Sequence, residues 1–294
     1  MKLAVIFTLC LFSFISVFCQ TKDSLNDRQA QDSIAPKKLL APWWVEKFRL
    51  TAGFFLPINN TSIQVGVNGT ANGSKIDFQK DLGFDAAIAT FLAGFEWRIS
   101  RRSRLSLSYF QMNHSATHTL QRDITFDSTT YHVNTSVNSF FNTKIYQFSY
   151  GYAFIEKPNY EVGVSIGAHT VGAKAGIAVN GNSGSLTQNN DFGFTAPLPD
   201  LGIWGGYAIS KRFAVNADFS YLSLTVNNIT GKLLTYNLTF TYKILPQLDV
   251  SAAYTGLNFT VNATKKNLAG EFRWGYNGPT ICASFTFGKK SWAH

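Results

Sequence analysis

Tyr146-Gln147-Phe148-Ser149-Tyr150-Gly151-Tyr152-Ala153-Phe154 sets a large aromatic at every second position, with small or polar residues between. A β-strand points successive side chains to opposite faces, so this segment has one aromatic face and one small, wettable face. A soluble sandwich would turn the aromatic face into a core. A membrane barrel would turn it outward to lipid.

The rest of the chain repeats the pattern. Phe48, Leu50, Ala52 and Phe54 alternate, as do Phe91, Ala93, Phe95, Trp97 and Ile99. Leu105, Leu107 and Tyr109 follow, then Tyr160 to Ala168, Leu201 to Ile209, Phe213 to Tyr221, Leu234 to Tyr242, Leu248 to Tyr254 and Ile281 to Phe287. A sandwich would carry more Lys and Glu on its outer faces, whereas charged residues are 15% of this chain. Connections alternate in length. Short turns fall at 100–103, 156–159, 210–212 and 244–247, with longer Asn/Thr/Ser-rich stretches between them. That asymmetry predicts an all-β antiparallel transmembrane barrel with short periplasmic turns and long extracellular loops. An even count is expected, and the short turns give ten strands. Twelve follow if 61–69 and 268–276 both cross. The preferred reading is ten, with a long final strand and a bulge at Pro279.

The ends agree with export. Residues 1–19 carry Lys2 and then an apolar run from Leu3 to Phe18, which reads as a secretory signal peptide. Val17 and Phe18 before Cys19 argue against acylation of that cysteine. No later apolar run approaches the ~20 residues of a membrane helix. Residues 20–45 read as a polar periplasmic tail, 46–288 as the barrel and 289–294 as a second tail. With the signal removed, Cys282 is the one cysteine left, which excludes an internal disulfide framework. The formal charge of +9 has no basic block behind it, so nucleic acid is a poor partner; the cations are scattered at turns and strand ends. Expected partners are outer-membrane lipid and lipopolysaccharide, the barrel-assembly machinery during biogenesis, and small solutes or ions if the lumen is open. The expected location is the outer membrane of a Gram-negative bacterium. Trp43, Trp44 and Phe154 are expected at the membrane interface.

The alternation also assigns the lumen. Glu96, Arg98, Glu161 and Asp249 lie within a few residues of short turns and should form a charged belt at the periplasmic end, with Arg104 and Lys243. Asp218 should sit near mid-height. Such a belt is either an ion-selecting constriction or a salt-bridged plug. Both signs at one level favour the plug, in a barrel with little free interior. No catalytic set, metal site or cofactor is predicted. The five histidines form no Asp-x-His pattern, and Asn113-His114-Ser115 puts His and Ser on opposite faces of a strand. The leading expectation is a porin-like or structural barrel with a narrow or salt-bridge-plugged lumen. The alternatives are an outward-facing binding or adhesion module using residues about 61–85, 115–138 and 180–197, and third, a lipopolysaccharide-modifying enzyme.

Gly73-Ser74-Lys75-Ile76-Asp77-Phe78-Gln79-Lys80-Asp81-Leu82-Gly83-Phe84 resembles the Gly-x-x-Ile-Asp-(acidic)-Asp-Leu-Gly segment of a family of uncharacterised Gram-negative outer-membrane proteins, with Lys80 in place of an acidic residue. Arg101-Arg102-Ser103-Arg104, Leu105 to Phe110, Thr119 to Phe126, Ala196-Pro197-Leu198-Pro199 and Tyr276-Asn277-Gly278-Pro279 extend the resemblance over most of the chain. It implies an outer-membrane barrel and no established activity.

Overall fold

The computed structural model describes residues 41–66, 75–85, 87–126, 129–180, 186–226, 229–265 and 268–290. The expected signal peptide, most of the N-terminal tail, Gly73-Ser74 and the last four residues lie outside the described residues. The elements are β1 (Phe48–Phe55), β2 (Ile58–Gly66), β3 (Lys75–Asp77), α1 (Phe78–Leu82), β4 (Thr90–Arg98), β5 (Ser103–Thr119), β6 (Ile124–Phe126), β7 (Thr129–Tyr131), β8 (Ser136–Glu156), β9 (Tyr160–Asn180), β10 (Leu186–Ala208), β11 (Phe213–Val226), β12 (Ile229–Leu245), β13 (Leu248–Lys265) and β14 (Leu268–Phe287).

Ten strands close into an antiparallel ring in the order β1, β4, β5, β8, β9, β10, β11, β12, β13, β14, and β14 pairs back onto β1 from Phe48↔Phe287 to Phe55↔Thr280. Closure satisfies every ladder group internally, which a backbone in lipid requires. The two segments that would have made twelve are not crossings of their own. β2 continues along the upper part of β14 in the register that β1 set, with Ile58 opposite Asn277. β1 and β2 are therefore two halves of one strand, interrupted at Leu56-Pro57. The bulge expected at Pro279 is absent: the β13–β14 ladder runs through Pro279 opposite Tyr254 without a register shift. The irregularity sits in the neighbouring strand instead, where Pro57 has no N–H to give and Leu56 N–H reaches the Pro279 carbonyl (3.0 Å). A Cβ at Gly278 would overlap the Leu56 carbonyl oxygen, so this close approach needs glycine.

The longer stretch between Tyr109 and Tyr146 is largely strand. β5 runs on to Thr119, and β8 begins at Ser136 in unbroken register with it (Thr119↔Ser136). The polar pattern there reflects a reversal of faces rather than a loop. On β5 the outward residues are Leu105, Leu107 and Tyr109, then Gln111, Asn113 and Ser115; the inward ones are Arg104, Ser106 and Ser108, then Phe110, Met112 and His114. On β8 the outward Tyr146 to Phe154 series is exposed, while Asn142 and Lys144 continue that face upward. Inward, Gln147 and Ser149 give way to Ile145, Phe141 and Val137, which are buried. β13 switches at Tyr254, from outward Val250 and Ala252 to outward Asn258, and from inward Ser251 and Thr255 to inward Leu257 and Phe259. Both faces invert at one height. Below it the barrel is built for lipid, over a length close to the ~9–11 residues a tilted crossing needs. Above it the barrel has the polarity of a water-soluble protein, apolar inside and polar outside.

The two regimes predict opposite tolerance for charge on one face of β9. Ile166→Arg, mid-belt opposite Tyr150, should cost about 2–4 kcal/mol in urea unfolding from vesicles. Lys174→Glu, eight residues along the same outward face, should change stability by less than about 0.5 kcal/mol. Equal penalties at the two positions would contradict the assigned membrane boundary.

Candidate functional site

The lumen is divided into two compartments by this inversion. The lower one is a polar cavity of about 430 Å³. Its walls include Ser106, Ser108, Gln147, Ser149, Ser165, Asn216, Asn237, Thr239 and Ser251, the small polar faces of the lipid-facing strands. The upper one is filled with apolar side chains.

Charge at the bottom of the cavity is arranged as an alternating chain. Asp218 meets Arg104 (3.1 Å), Arg104 meets Glu96 (3.5 Å), Glu96 meets Arg98 (3.9 Å), and Arg98 donates to both carboxylate oxygens of Glu161 (2.7 and 3.3 Å). Arg101 donates to Glu161 Oε2 at 2.7 Å. Three guanidiniums thus face three carboxylates. The tightest part, Arg98–Glu161–Arg101, is almost wholly buried, at 1%, 1% and 4% exposure. Bidentate arginine–carboxylate contacts are the strong form of this interaction, and burying them unpaired would be prohibitive. Arg104 also stacks on Trp204, 3.7 Å from the ring centroid.

A second pair, Arg49–Asp249 (2.8 Å), ties the mouth to the segment before β1, because Arg49 Nη2 also donates to the Trp44 carbonyl (2.9 Å). That segment turns at Pro42 (Val45 N–H to Pro42 O, 3.0 Å) and tucks Trp44 and Val45 against Ala214. Trp44 was expected at the lipid interface and is buried at 7% exposure, over Gly206. Its backbone is held by Arg49 inside the ring, which draws the indole inward. Trp43 lies at the mouth, donating from Nε1 to the Ser210 carbonyl (3.0 Å) with Lys243 Nζ 4.6 Å above its ring. Phe154, the last ring of the aromatic series, is exposed on the outer wall.

The structure therefore brings Glu96, Arg98, Arg104, Glu161 and Asp218 into one network, and places Asp249 and Lys243 apart, in the pairings just described. Arg101 and Arg49 belong with them and were not among the candidates. Arg101 sits in a turn, outside any alternation. Arg49 was legible, since Phe48 and Leu50 point out. A further pair was also missed: His169 Nδ1 and Asp200 Oδ2, 2.7 Å apart and both buried at the top of the cavity. The parity of β10 would have revealed Asp200, which shares the inward face of Gly202 and Trp204. Among the described residues no three of His, Cys, Asp and Glu converge as a metal site.

The upper compartment is organised by the segment that carried the family resemblance. Asp77 caps α1, its Oδ1 accepting from the Gln79 and Lys80 N–H groups (3.1 and 3.0 Å). Gly83 ends it in the left-handed region (φ 69°), where glycine is favoured. Between the caps the turn projects Phe78 and Leu82, followed by Phe84, into the lumen, all buried. Phe78 meets Phe141 of the wall edge to face, Phe141 in turn meets Trp274, and all five side chains belong to one buried cluster. Beneath them Phe55, Phe110 and Tyr276 pack edge to face at 5.2–6.0 Å. Above, Leu120, Ile124 and Tyr131 of the β6–β7 region close the stack. Arg122 clamps the assembly from outside, on both oxygens of Asp81 (2.9 and 2.6 Å) and on the Lys75 carbonyl (2.6 Å). Burial raises the Asp81 pKa, but the Arg122 and Asp77 N–H hydrogen bonds outweigh it and hold the carboxyl below its usual range.

β4 stops at Thr90, so the upper wall has no β4 beside β5. α1 fills that position, helped by Asn59 Nδ2 on His114 Nε2 (3.3 Å) and by Thr61 N–H on Gln79 Oε1 (3.3 Å). Burial pulls the His114 imidazole below its ordinary pKa, partly opposed by Asp85. His114 points into the plug and Ser115 is exposed outside, so the two form no dyad.

No family model and no curated protein matches the sequence. Solved structures do match in fold. The outer-membrane protease OmpT of Escherichia coli aligns with a TM-score of 0.54 at 12% identity, over 83% of this chain and 100% of its own. The toluene transporter TodX of Pseudomonas putida gives 0.36 at 9% identity, over 85% and 94%. Ail, the attachment invasion locus protein of Yersinia pestis, gives 0.30 at 10% identity, over 80% and 99%. Together with the closed ten-stranded ring and its apolar belt, the likeness to OmpT makes this chain a transmembrane β-barrel of the Gram-negative outer-membrane type.

Proposed function

We propose that this protein is a closed, non-conducting outer-membrane barrel whose work is done by the rigid platform it raises above the membrane. The supporting observation is the apolar plug. A solute crossing the barrel would have to displace Phe78, Leu82 and Phe84 from the buried cluster they share with Phe141 and Trp274, and each such side chain contributes about 1.5–3 kcal/mol when buried. The salt-bridged inner mouth adds a second closure, in which the three carboxylates of the Asp218-to-Arg101 chain are neutralised by three guanidiniums rather than left to select ions. Between the closures lies the cavity lined by Gln147, Ser149, Ser165 and Asn216.

The same architecture favours an outward-facing binding role over a pore. The upper barrel has a core of its own and continues some ten residues above the belt on β8, on the order of 20–30 Å at strand rise and tilt. It holds the β6–β7 hairpin and the α1 segment fixed at the rim. A lipopolysaccharide-modifying enzyme has no comparable support, since His114 faces the plug.

In planar bilayers the refolded protein should show no steady conductance steps. The triple variant F78A/L82A/F84A should introduce discrete openings. Regular pore-size steps from the unmodified protein would overturn the reading. Glu161→Ala should act on stability rather than current, costing about 3–5 kcal/mol because Arg98 and Arg101 lose their shared partner; a changed ion selectivity with unchanged stability would restore the filter reading. The plug should also respond to acid. His114 has a folded pKa below its unfolded value of about 6.5, so the stability it contributes is present above that pH and is lost as pH falls through the folded value. Unfolding followed between about pH 8 and pH 5 should show this loss, and His114→Gln should flatten it.

A further inference from the structure

The lumen and the rim leave the formal charge of +9 unused. In the lumen, arginines and carboxylates largely cancel. On the upper barrel, bases are interspersed with Asp77, Asp81, Asp85, Asp123 and Glu271. At the periplasmic end the balance fails. The turns and the end of β14 present Arg102, Lys157, Lys211, Arg212, Lys289 and Lys290 against two carboxylates, Glu156 and Glu46. Those two are engaged, Glu156 by Arg102 (2.7 Å) and Glu46 by Lys290 (3.1 Å). Lys157, Lys211, Arg212 and Lys289 are exposed, and their side chains form no ion pair among the described residues.

The placement of these four indicates the partner. Each lies within three residues of an exposed apolar side chain at the lower edge of the belt: Phe154 before Lys157, Ile209 before Lys211, Phe213 after Arg212, and Phe287 before Lys289. One to three residues at a strand rise of about 3.3 Å carry the chain about 3–10 Å past the hydrocarbon edge, within the depth of a headgroup layer. A lysine or arginine stem reaches that layer with its charge in water. The cations also surround the mouth, on the β8–β9 turn, the β10–β11 turn and the end of β14, with Arg102 on the β4–β5 turn. A single protein partner would call for a patch on one side. The β12–β13 turn carries no cation, but a collar over the other four of the five positions around the ring fits a leaflet.

We infer that this periplasmic collar binds anionic phospholipid headgroups, of the phosphatidylglycerol class, in the leaflet it faces. Anionic surfaces attract such basic segments residue by residue, and salt screens the attraction. The inference does not depend on whether the lumen is closed.

The test uses the protein refolded into phosphatidylcholine vesicles, with brominated phosphatidylglycerol or phosphatidylcholine as quencher of tryptophan fluorescence. Trp97, exposed on the outer wall two residues above the β4–β5 turn, is a lipid-facing reporter close to the collar. A several-fold preference for phosphatidylglycerol is expected at low salt, falling toward one in about 1 M salt, where the Debye length is about 3 Å. The variant K157Q/K211Q/R212Q/K289Q should lose that preference, and K144Q/K174Q/K232Q on the upper barrel should keep it. Should the quadruple variant fail to fold, K157Q/K289Q and K211Q/R212Q separately should each lower it. No preference in the unmodified protein, or one that survives the quadruple variant, would overturn the inference. So would loss of co-sedimentation with peptidoglycan sacculi in that variant at unchanged lipid preference, which would assign the collar to a polysaccharide.

Discussion

A polypeptide in hydrocarbon has no water to satisfy its peptide groups, and the whole structure follows from that constraint. The ten strands must close, since an open edge would leave a row of unpaired N–H and C=O groups in lipid. Closure at this size leaves an interior with room for side chains and some water, not a wide channel. The outward side chains must be apolar wherever the wall meets lipid. The inward ones are then free to be polar, as Gln147, Ser149 and Ser165 are. The constraint lapses where the barrel leaves the membrane, and the chain takes up ordinary polarity there. Lys144 and Asn142 face water, and Ile145 and Phe141 face the interior.

This switch explains why the lumen has two kinds of closure. Within the membrane, where the wall's apolar residues are spent on lipid, the interior is stabilised by compensated charge, with Glu161 serving both Arg98 and Arg101. Above it, hydrophobic burial is available again, and a wedge of three aromatic and aliphatic side chains suffices. The wedge also repairs a wall defect. β4 is short, and α1 with its caps stands in for the missing strand beside β5. The Asp77 cap, the left-handed Gly83 and the Arg122–Asp81 clamp give structural reasons for the spacing of Ile76-Asp77 and Asp81-Leu82-Gly83.

The outward face was legible residue by residue, because a strand's period of two is strict and lipid demands a uniform answer. The ten crossings and the short turns came from the same signal. The belt residues Glu96, Arg98, Arg104 and Glu161 were legible as a group from parity and height. Their pairing was not. Arg101 lies in a turn, where parity says nothing about direction, and Trp44 precedes the first strand, so only its contact with Arg49 and Gly206 shows that it turns inward. Between Phe110 and Thr119 the alternation was hard to follow because the apolar residues move to the opposite parity.

What the sequence alone determined is local and periodic: which side of each strand meets lipid and where the short turns fall. These depend on neighbours two residues apart and on one solvent boundary. What the tertiary structure decided is the state of the lumen. Whether Phe78 and Leu82 seal it, whether Glu161 is shared by two arginines, and whether the first strand is broken against Pro279 all depend on residues far apart in the chain meeting across a closed ring. Alternation carries no information about such meetings, because it specifies a face and not the partner on the other side.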